Sequence, residues 1–254
     1  MAGRIAAVTG ATGFLGRRLV PALVERGWQV RALTRSRPPA GLWGEAAVDI
    51  VRGDLADADA LASLTDGAQA VIHAAGLIKA RTRAEFFAAN AEGAQRVAQA
   101  AGEARMLLIS SLAAREPALS DYAASKRAGE EAARMIAGGR LTVVRPPAIY
   151  GPGDRETLGL FRLAAQSPVL ALPGPATARL ALAHVDDVVA TILALMEHPA
   201  PPASATVPGA RPEGYGWREI FQAAAAAVGA RPALAAAPRW LVGAAGGVSE
   251  LAGA

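Results

Sequence analysis

Short apolar runs alternate along the chain with longer segments in which apolar residues recur every three or four positions. A short apolar run is typical of a parallel strand, and the longer spacing is typical of a helix with one apolar face. The predicted strands are 5–8, 29–33, 48–51, 70–74, 106–109, 141–144, 179–183 and 205–207. The predicted helices are 15–26, one beginning near 57, 83–103, 120–137, 154–166, 186–197 and 217–228. This alternation predicts an α/β fold, with a parallel sheet covered by helices on both faces.

A glycine-rich turn follows the first predicted strand, with Gly10, Gly13 and Gly16 at a three-residue spacing. Glycines let the backbone turn sharply and approach a phosphate closely, because no Cβ intervenes. The helix that follows directs its free N–H groups and the positive end of its dipole at the turn. The stretch therefore predicts a pyrophosphate site, although a glycine trio alone also occurs in ordinary turns.

The end of the second predicted strand bears on the choice of dinucleotide. In a dinucleotide-binding fold this strand ends at the adenosine ribose, where a carboxylate binds the 2′-hydroxyl of NAD. This chain has Arg35 there, followed closely by Arg37, and no carboxylate. A guanidinium matches a phosphate in charge and geometry, so these residues favour NADP over NAD. The structural alternative is a pair of solvated loop arginines.

Tyr122 and Lys126 lie four residues apart in a predicted helix and therefore share one of its faces. An ammonium beside a phenol favours the phenolate, so we expect a lowered pKa for Tyr122 and a role in proton transfer. Ser111 ends the preceding strand, where its hydroxyl is placed to bind a substrate oxygen. The spacing also occurs by coincidence on helix surfaces, but a position downstream of a phosphate-binding turn favours a site.

Composition narrows the remaining function classes. The 254 residues are 52% hydrophobic and 19% charged, which fits one large domain or a main domain with a small appendage. The net charge is +4 without a basic cluster, so we expect no nucleic-acid surface. Cysteine is absent, which excludes disulfides and thiol catalysis. His73 lies in an apolar strand without neighbouring ligands, so we expect a structural role for it and no metal site. No apolar run is long enough to span a bilayer, and we expect a cytoplasmic protein.

The motifs together resemble those of the extended short-chain dehydrogenase/reductase superfamily, specifically its NAD-dependent epimerase/dehydratase-like members. The matching pieces follow the family's order and spacing over nearly the whole chain. They are 9–16, 53–55, 73–76, Asn90 with Gly93, 110–111, 122–126, 145–153 and 184–188. The resemblance implies a Rossmann-type doubly wound parallel sheet with a small C-terminal substrate lobe. Residues 1–150 would form the NAD(P)-binding core, 180–198 would return to it, and 151–254 would mainly form the lobe.

The resemblance also implies residue roles. Tyr122 would be the acid/base, Lys126 its activator and a ligand of the nicotinamide ribose, and Ser111 the hydroxyl that orients the substrate. The residues implied to bind NADP(H) are Gly10, Thr12, Gly13, Phe14, Leu15, Gly16, Arg35, Asp54, Leu55, Ala74, Ala75, Gly76, Tyr122, Lys126 and Pro146. Asp54 has a structural alternative as the N-cap of the helix that begins near residue 57.

The favoured function is that of an NADPH-dependent carbonyl reductase or alcohol dehydrogenase acting on a small molecule. Dehydratases of the family place an acidic residue just after the catalytic hydroxyl, whereas Leu112 and Ala113 follow Ser111 here. Epimerases of the family keep NAD bound, which Arg35 argues against. A nucleotide-sugar epimerase and a non-catalytic NADP(H)-binding regulatory or accessory module stay open as alternatives.

Two further expectations concern partners and the C-terminus. The family's dimers pair the long helices, here 83–103 and 120–137, whose alanines permit close packing. The apolar stretch 238–254 is interpreted as an amphipathic helix on the lobe, a partner surface, or a helix that continues past the given sequence. Its lack of basic residues argues against a membrane contact.

Overall fold

The computed structural model describes residues 3–172, 175, 177–211 and 213–236. Its strands are β1 (Arg4–Thr9), β2 (Trp28–Thr34), β3 (Val48–Arg52), β4 (Ala70–His73), β5 (Arg105–Ile109), β6 (Leu141–Arg145), β7 (Ala148–Tyr150), β8 (Val169–Leu172), β9 (Arg179–Leu180), β10 (Leu182–His184), β11 (Ser204–Thr206), β12 (Tyr215–Gly216) and β13 (Ala233–Ala236). Its helices are α1 (Phe14–Glu25), α2 (Ala58–Thr65), α3 (Arg83–Phe87), α4 (Gly93–Ala101), α5 (Asp121–Ala137), α6 (Leu158–Gln166), α7 (Val185–Glu197) and α8 (Trp217–Ala227). A π-helical turn, Ala88–Glu92, joins α3 to α4, and 3-10 turns cover Leu112–Arg115 and Gly138–Arg140.

A central sheet of seven strands confirms the predicted parallel α/β fold. Its order is β11-β6-β5-β4-β1-β2-β3, and every pair is parallel. The order reverses between β1 and β4, so the crevice that binds ligands in doubly wound sheets opens where these two strands end. The strands at the centre consist almost entirely of buried side chains, as expected of a sheet covered on both faces.

The helices form two packed groups. α1 contacts α7, whereas α2, α4 and α5 pack successively against one another. The second group shares one apolar core with the sheet, in which Leu64, Val97 and Met106 are fully buried. Alanines such as Ala94 and Ala133 allow α4 and α5 to approach closely. This core holds α5, the helix that carries Tyr122 and Lys126, against the sheet.

The chain divides into two compact units. The first comprises Met1–Pro146 with Val185–Val207 and contains the central sheet. The second comprises Pro147–His184 with Pro208–Ala254. Within the second unit, α6 packs on α8, β13 pairs with β8, and Trp217 and Phe221 lie in a separate apolar core.

The elements of the second unit depart most from the sequence prediction. Helix α6 begins at Leu158 rather than 154, because the Asp154 carboxylate accepts hydrogen bonds from the backbone of Glu156 and Thr157 and holds a turn there. The predicted strand 179–183 is two short strands, since β9 pairs with β12 and β10 pairs with β7. The stretch 238–254 lies outside the described residues.

Candidate functional site

The glycine-rich turn brings the end of β1 against the end of β4. Gly10 adopts φ +73°, and a Cβ at this position would lie 2.5 Å from the backbone carbon of Ala74 and 2.6 Å from the nitrogen of Ala75. The N–H of Gly13 donates to the carbonyl of Gly10 across 3.0 Å, which closes the turn. The close approaches to Ala74 and Ala75 require glycine at position 10, because a Cβ would collide with their backbone.

Other groups occupy the carbonyls of this turn. The indole Nε1 of Trp43 donates to the carbonyl of Ala11 at 3.0 Å, and the Nε of Arg17 donates to that of Thr12 at 2.9 Å. Helix α1 begins at Phe14 with no side-chain cap and no acidic residue in its first turn. The first N–H groups of a helix have no partners within it, so they are available to an anion. The turn therefore fits a pyrophosphate, with Leu15 and Gly16 buried beneath it.

Arg35 follows directly after β2 and is exposed, as is Arg37. Within the described residues, neither guanidinium makes a hydrogen bond or an ion pair. The N–H of Gly53 donates to the carbonyl of Thr34 at 3.1 Å, which places the ends of β2 and β3 side by side. A cationic residue without an anionic partner at this strand end fits a ligand phosphate.

Asp54 and Leu55 follow the end of β3 but differ in their surroundings. The Asp54 carboxylate accepts the N–H of Ala56 at 2.7 Å and lies exposed in a turn. The N-cap of α2 is Asp57, so the alternative that assigned this role to Asp54 is wrong. Leu55 is half-buried, and a Cβ on Gly93 would lie 2.8 Å from its Cδ1. Leu55 therefore packs against α4 with one part of its side chain.

His73 is buried beneath the crevice. Its Nδ1 lies 2.6 Å from the Oγ1 of Thr9, which also accepts the N–H of Ala75 at 3.4 Å. Desolvation, with a smaller contribution from the Lys126 charge, lowers the pKa of His73 to about 3. The imidazole is therefore neutral at physiological pH and connects the ends of β1 and β4.

Tyr122, Ser111 and Lys126 come together where α5 crosses the end of β5. The Ser120 hydroxyl caps α5 by accepting the N–H of Ala123 at 3.1 Å, which places Tyr122 in the first turn. The Tyr122 side chain lies near that of Ser111, which lowers the pKa of the phenol slightly, and the Ser111 hydroxyl accepts the N–H of Ala113 at 3.2 Å. The Nζ of Lys126 donates to the carbonyl of Ile109 at 2.8 Å, just before Ser111 in the chain. The other serine, Ser110, is buried with no hydrogen-bond partner for its hydroxyl among the described residues.

Burial has the largest effect on the pKa values of Tyr122 and Lys126. Desolvation raises the pKa of Tyr122, and the nearby Ser111 side chain opposes that rise only in part. The expectation of a lowered Tyr122 pKa is therefore wrong for this structure, because burial of the phenol outweighs the effect that lowers its pKa. Desolvation also lowers the pKa of Lys126 to about 8, against an opposing effect of Glu130. Tyr122 is thus a protonated phenol at neutral pH, and Lys126 is close to losing its proton.

A buried ion pair lies one helical turn beyond Lys126. Arg145 binds Glu130 through two hydrogen bonds, one of them 2.8 Å long from its Nε, and the Glu130 side chain is 3% exposed. The next residue, Pro146, accepts the N–H of Leu112 at 2.8 Å through its carbonyl. The end of β6, including Pro146, is thereby fixed beside Ser111.

Asn90 joins the loop after β4 to α5, a function that the sequence did not indicate. Its Oδ1 accepts the N–H of Leu77 at 2.8 Å, and its Nδ2 donates to the Leu77 carbonyl and to the Ser125 hydroxyl, each at 2.9 Å. Ser125 donates to the carbonyl of Tyr122 at 2.8 Å. A Cβ on Gly76 would lie 2.7 Å from the Asn90 Oδ1 and 3.6 Å from the Lys126 Nζ, so only glycine fits.

Two further features complete the description. No group of residues with metal-ligand chemistry occurs within the part of the chain that the structure describes. Across the same residues, no helix combines the length and the apolar character needed to cross a bilayer. In the second unit, the rings of Tyr150 and His184 meet edge to face with their centroids 5.3 Å apart.

The chain is similar to several known proteins. The model of the NAD dependent epimerase/dehydratase family matches residues 6–207. A ceramide reductase from Caulobacter vibrioides is 50% identical over 236 residues, which cover 92% of this chain and 74% of that protein. A 4-hydroxy-2-methyl-3-oxo-4-farnesyl-3,4-dihydroquinoline-1-oxide ketoreductase from Stigmatella aurantiaca is 36% identical over 173 residues, 59% of this chain and 52% of that protein. The structure of MoeE5 in complex with UDP-glucuronic acid and NAD has a TM-score of 0.77 at 26% identity, covering 92% of this chain and 85% of the other.

Proposed function

The chain belongs to the NAD-dependent epimerase/dehydratase family of enzymes, and we propose that it is an NADPH-dependent ketone reductase with Tyr122 as its proton donor. The observation that carries this proposal is the position of Tyr122 in the first turn of α5 near Ser111, where burial raises the pKa of the phenol. A phenol that keeps its proton at neutral pH is suited to protonating a carbonyl oxygen. Oxidation of an alcohol would require the phenolate, which burial disfavours.

The residues at the crevice fit a bound dinucleotide. The N–H groups around Gly13 and the start of α1 would hold the pyrophosphate, and Arg35 would hold the 2′-phosphate. Asp54 and Leu55 would flank the adenine. The remaining proposed contacts line the path to the nicotinamide and are Ala74, Ala75, Gly76, Tyr122, Lys126 and Pro146. When bound, NADPH supplies the hydride that the ketone carbon accepts.

The protein then has to deliver one proton to the ketone oxygen. Tyr122 donates that proton, and its phenolate is left beside the Lys126 ammonium, whose charge stabilises it. Ser111 donates a second hydrogen bond to the same oxygen and so holds the carbonyl against Tyr122. The carbon gains a hydride and the oxygen a proton, which yields an alcohol.

The substrate proposed is a ketone on a largely apolar molecule. The names of the two reductases similar to this chain denote compounds with long hydrocarbon parts, a ceramide in one case and a farnesyl group in the other. About half of the Stigmatella aurantiaca ketoreductase lies outside the match, so the ceramide reductase is the stronger support for this substrate class. Residues 151–254, the stretch that the family resemblance implies to be mainly a substrate lobe, would supply part of the substrate contacts.

An epimerase acting on a nucleotide sugar is the second candidate. MoeE5 favours it, because that protein binds UDP-glucuronic acid and NAD on the same fold. Arg35 argues against it, since a tightly retained NAD has no 2′-phosphate for this guanidinium to bind. Binding of NADPH without turnover of any substrate, unchanged by Tyr122→Phe, would instead indicate the non-catalytic module.

The proposal is tested by measuring NADPH consumption with an N-acyl amino ketone of the ceramide type. We expect turnover by the wild type and a loss of about 10²- to 10⁴-fold in kcat for Tyr122→Phe, which keeps the ring but has no proton to give. UDP-glucose and UDP-glucuronic acid serve as the matched test of the epimerase. Interconversion of a UDP-sugar without ketone reduction would overturn the reductase.

A further inference from the structure

Leu77 and Ile78 form an exposed apolar pair in the loop directly after Gly76. Leu77 is 40% exposed and Ile78 is 53% exposed. Single exposed apolar residues are normal on protein surfaces. Leu77 and Ile78 are two large apolar residues in succession, in a loop whose backbone is held in place.

Asn90 fixes the backbone of this pair. It binds both the N–H and the carbonyl of Leu77, at 2.8 and 2.9 Å. Asn90 is itself 3% exposed and is held by Ser125, which is fully buried. These two hydrogen bonds anchor the Leu77 backbone to a buried side chain, and the side chains of Leu77 and Ile78 are exposed beside this anchor.

The pair adjoins the candidate catalytic cluster. Gly76 precedes Leu77, and a Cβ on Gly76 would lie 3.6 Å from the Nζ of Lys126. A second exposed apolar side chain, Leu119 at 59%, lies three residues before Tyr122 on the other segment that flanks the cluster. Apolar side chains are thus displayed on both chain segments next to the reacting groups, where water has to be excluded.

We propose that Leu77 and Ile78, together with Leu119, bind the hydrocarbon chain of the ketone substrate. This inference rests on the proposed function and adds to it the residues that select an apolar substrate. Burying one methylene group of the substrate against such a surface strengthens binding about fourfold. The rigid backbone adds to this gain, because no loop ordering has to be offset on binding.

The test uses three N-acyl amino ketones that carry acetyl, octanoyl and palmitoyl chains on one reactive group. The variants are Ile78→Ser and, as the matched control, Ile50→Ser, since Ile50 is 44% exposed on the edge strand β3. We expect kcat/KM of the wild type to rise with chain length. Ile78→Ser is expected to lower kcat/KM about tenfold for the palmitoyl ketone and less than twofold for the acetyl ketone.

The results of this test distinguish failure of the proposed apolar site from failure of the proposed reductase activity. Turnover that does not depend on chain length, or a chain-length dependence equal in Ile78→Ser and Ile50→Ser, would overturn the apolar site and leave the reductase intact. No turnover of any of the three ketones by the wild type would overturn the reductase, and the apolar site with it. Equal unfolding temperatures of the two variants confirm that the comparison reports binding rather than stability.

Discussion

Trp43 donates its indole N–H to the carbonyl of Ala11 across 3.0 Å, and so ties the loop between β2 and β3 to the glycine-rich turn. The same loop begins with Arg35 and Arg37. This contact adds to the parallel pairing of β1 with β2 in fixing the two ends of the proposed NADPH site, pyrophosphate and 2′-phosphate, relative to one another.

Trp43→Phe removes this hydrogen bond and keeps an aromatic ring in the loop. A hydrogen bond of this kind contributes about 1 kcal/mol, so we expect the Kd for NADPH to rise about fivefold. Titration of the purified variant with NADPH, followed by cofactor fluorescence, measures the change. An unchanged Kd would show that the loop holds its position without the indole N–H.

Arg35→Ala is expected to separate the two dinucleotides. A hydrogen bond to a charged group contributes about 1.5–3 kcal/mol, so the Kd for NADPH should rise about 10- to 100-fold. The Kd for NADH should stay within a factor of about two, because NADH has no 2′-phosphate. Parallel titrations with both cofactors make this measurement. An equal rise in the Kd for NADPH and for NADH would contradict the assignment of Arg35 and would favour the epimerase.

The two adjacent serines form a matched pair of variants. Ser111→Ala removes the hydroxyl proposed to bind the ketone oxygen beside Tyr122, and we expect kcat to fall about 10- to 1000-fold. Ser110→Ala removes a buried hydroxyl that has no partner among the described residues, so stability should be unchanged or slightly higher and kcat unaffected. Steady-state kinetics and thermal unfolding of both variants decide the matter. A larger loss of kcat in Ser110→Ala would reverse the roles.

The charge of Lys126 is expected to control an alkaline limb of activity. Burial lowers the pKa of Lys126 to about 8, and Glu130 counteracts this effect. The ammonium is present below that pH and lost above it, so kcat/KM for NADPH should decline above about pH 8. The titratable groups near Lys126 are Glu130 on α5, His73 on β4, and Arg145 on β6 through its ion pair with Glu130. Tyr122, four residues before Lys126, shares its face of α5.

Glu130→Gln is the variant that moves this limb. Without the carboxylate the pKa of Lys126 falls further, so the decline in kcat/KM should begin at a lower pH. The substitution also leaves Arg145 buried without its partner, which lowers stability by about 3–5 kcal/mol, so the profile is recorded well below the unfolding temperature. A destabilised variant with an unshifted profile would show that the ion pair is structural only.

His73 links stability to pH. Its folded pKa, about 3, lies below its unfolded value of 6.5, so the unfolded chain takes up a proton that the folded protein refuses. Stability is therefore lost as the pH falls below about 6.5, by about 2 kcal/mol on reaching pH 5. His73→Phe lacks this dependence. We expect the difference in unfolding free energy between wild type and His73→Phe to shrink by that amount over this interval, as measured by urea denaturation. A constant difference would indicate that His73 has the same pKa in the folded protein as in the unfolded chain.

The sequence predicted the first unit far better than the second. Its strands read as unbroken apolar runs, and features such as the Ser120 cap and the glycine turn have local causes that the sequence displays. The strands β7, β8, β12 and β13 escaped prediction, because they are two to four residues long and depend on distant partners. Periodicity does not appear in so short a segment.

The sequence likewise predicted only part of the candidate site. The residue types at Ser111, Tyr122 and Lys126 carried a recognisable pattern, and the structure brings them together. The contacts of Trp43 and Asn90 join residues more than ten positions apart and follow no local rule. The direction of the Tyr122 pKa depended on burial, which spacing along a helix does not report.

Deuterium transfer from NADPH labelled at the reactive carbon of its nicotinamide tests the reductase and the role of Tyr122 together. The wild type and Tyr122→Phe are each incubated with the palmitoyl amino ketone, and the product is analysed by mass spectrometry. We expect the wild type to form an alcohol with one deuterium on the former ketone carbon. Tyr122→Phe should form this labelled alcohol about 10²- to 10⁴-fold more slowly. An unlabelled product, or equal labelling by both proteins, would contradict a reductase in which Tyr122 donates the proton.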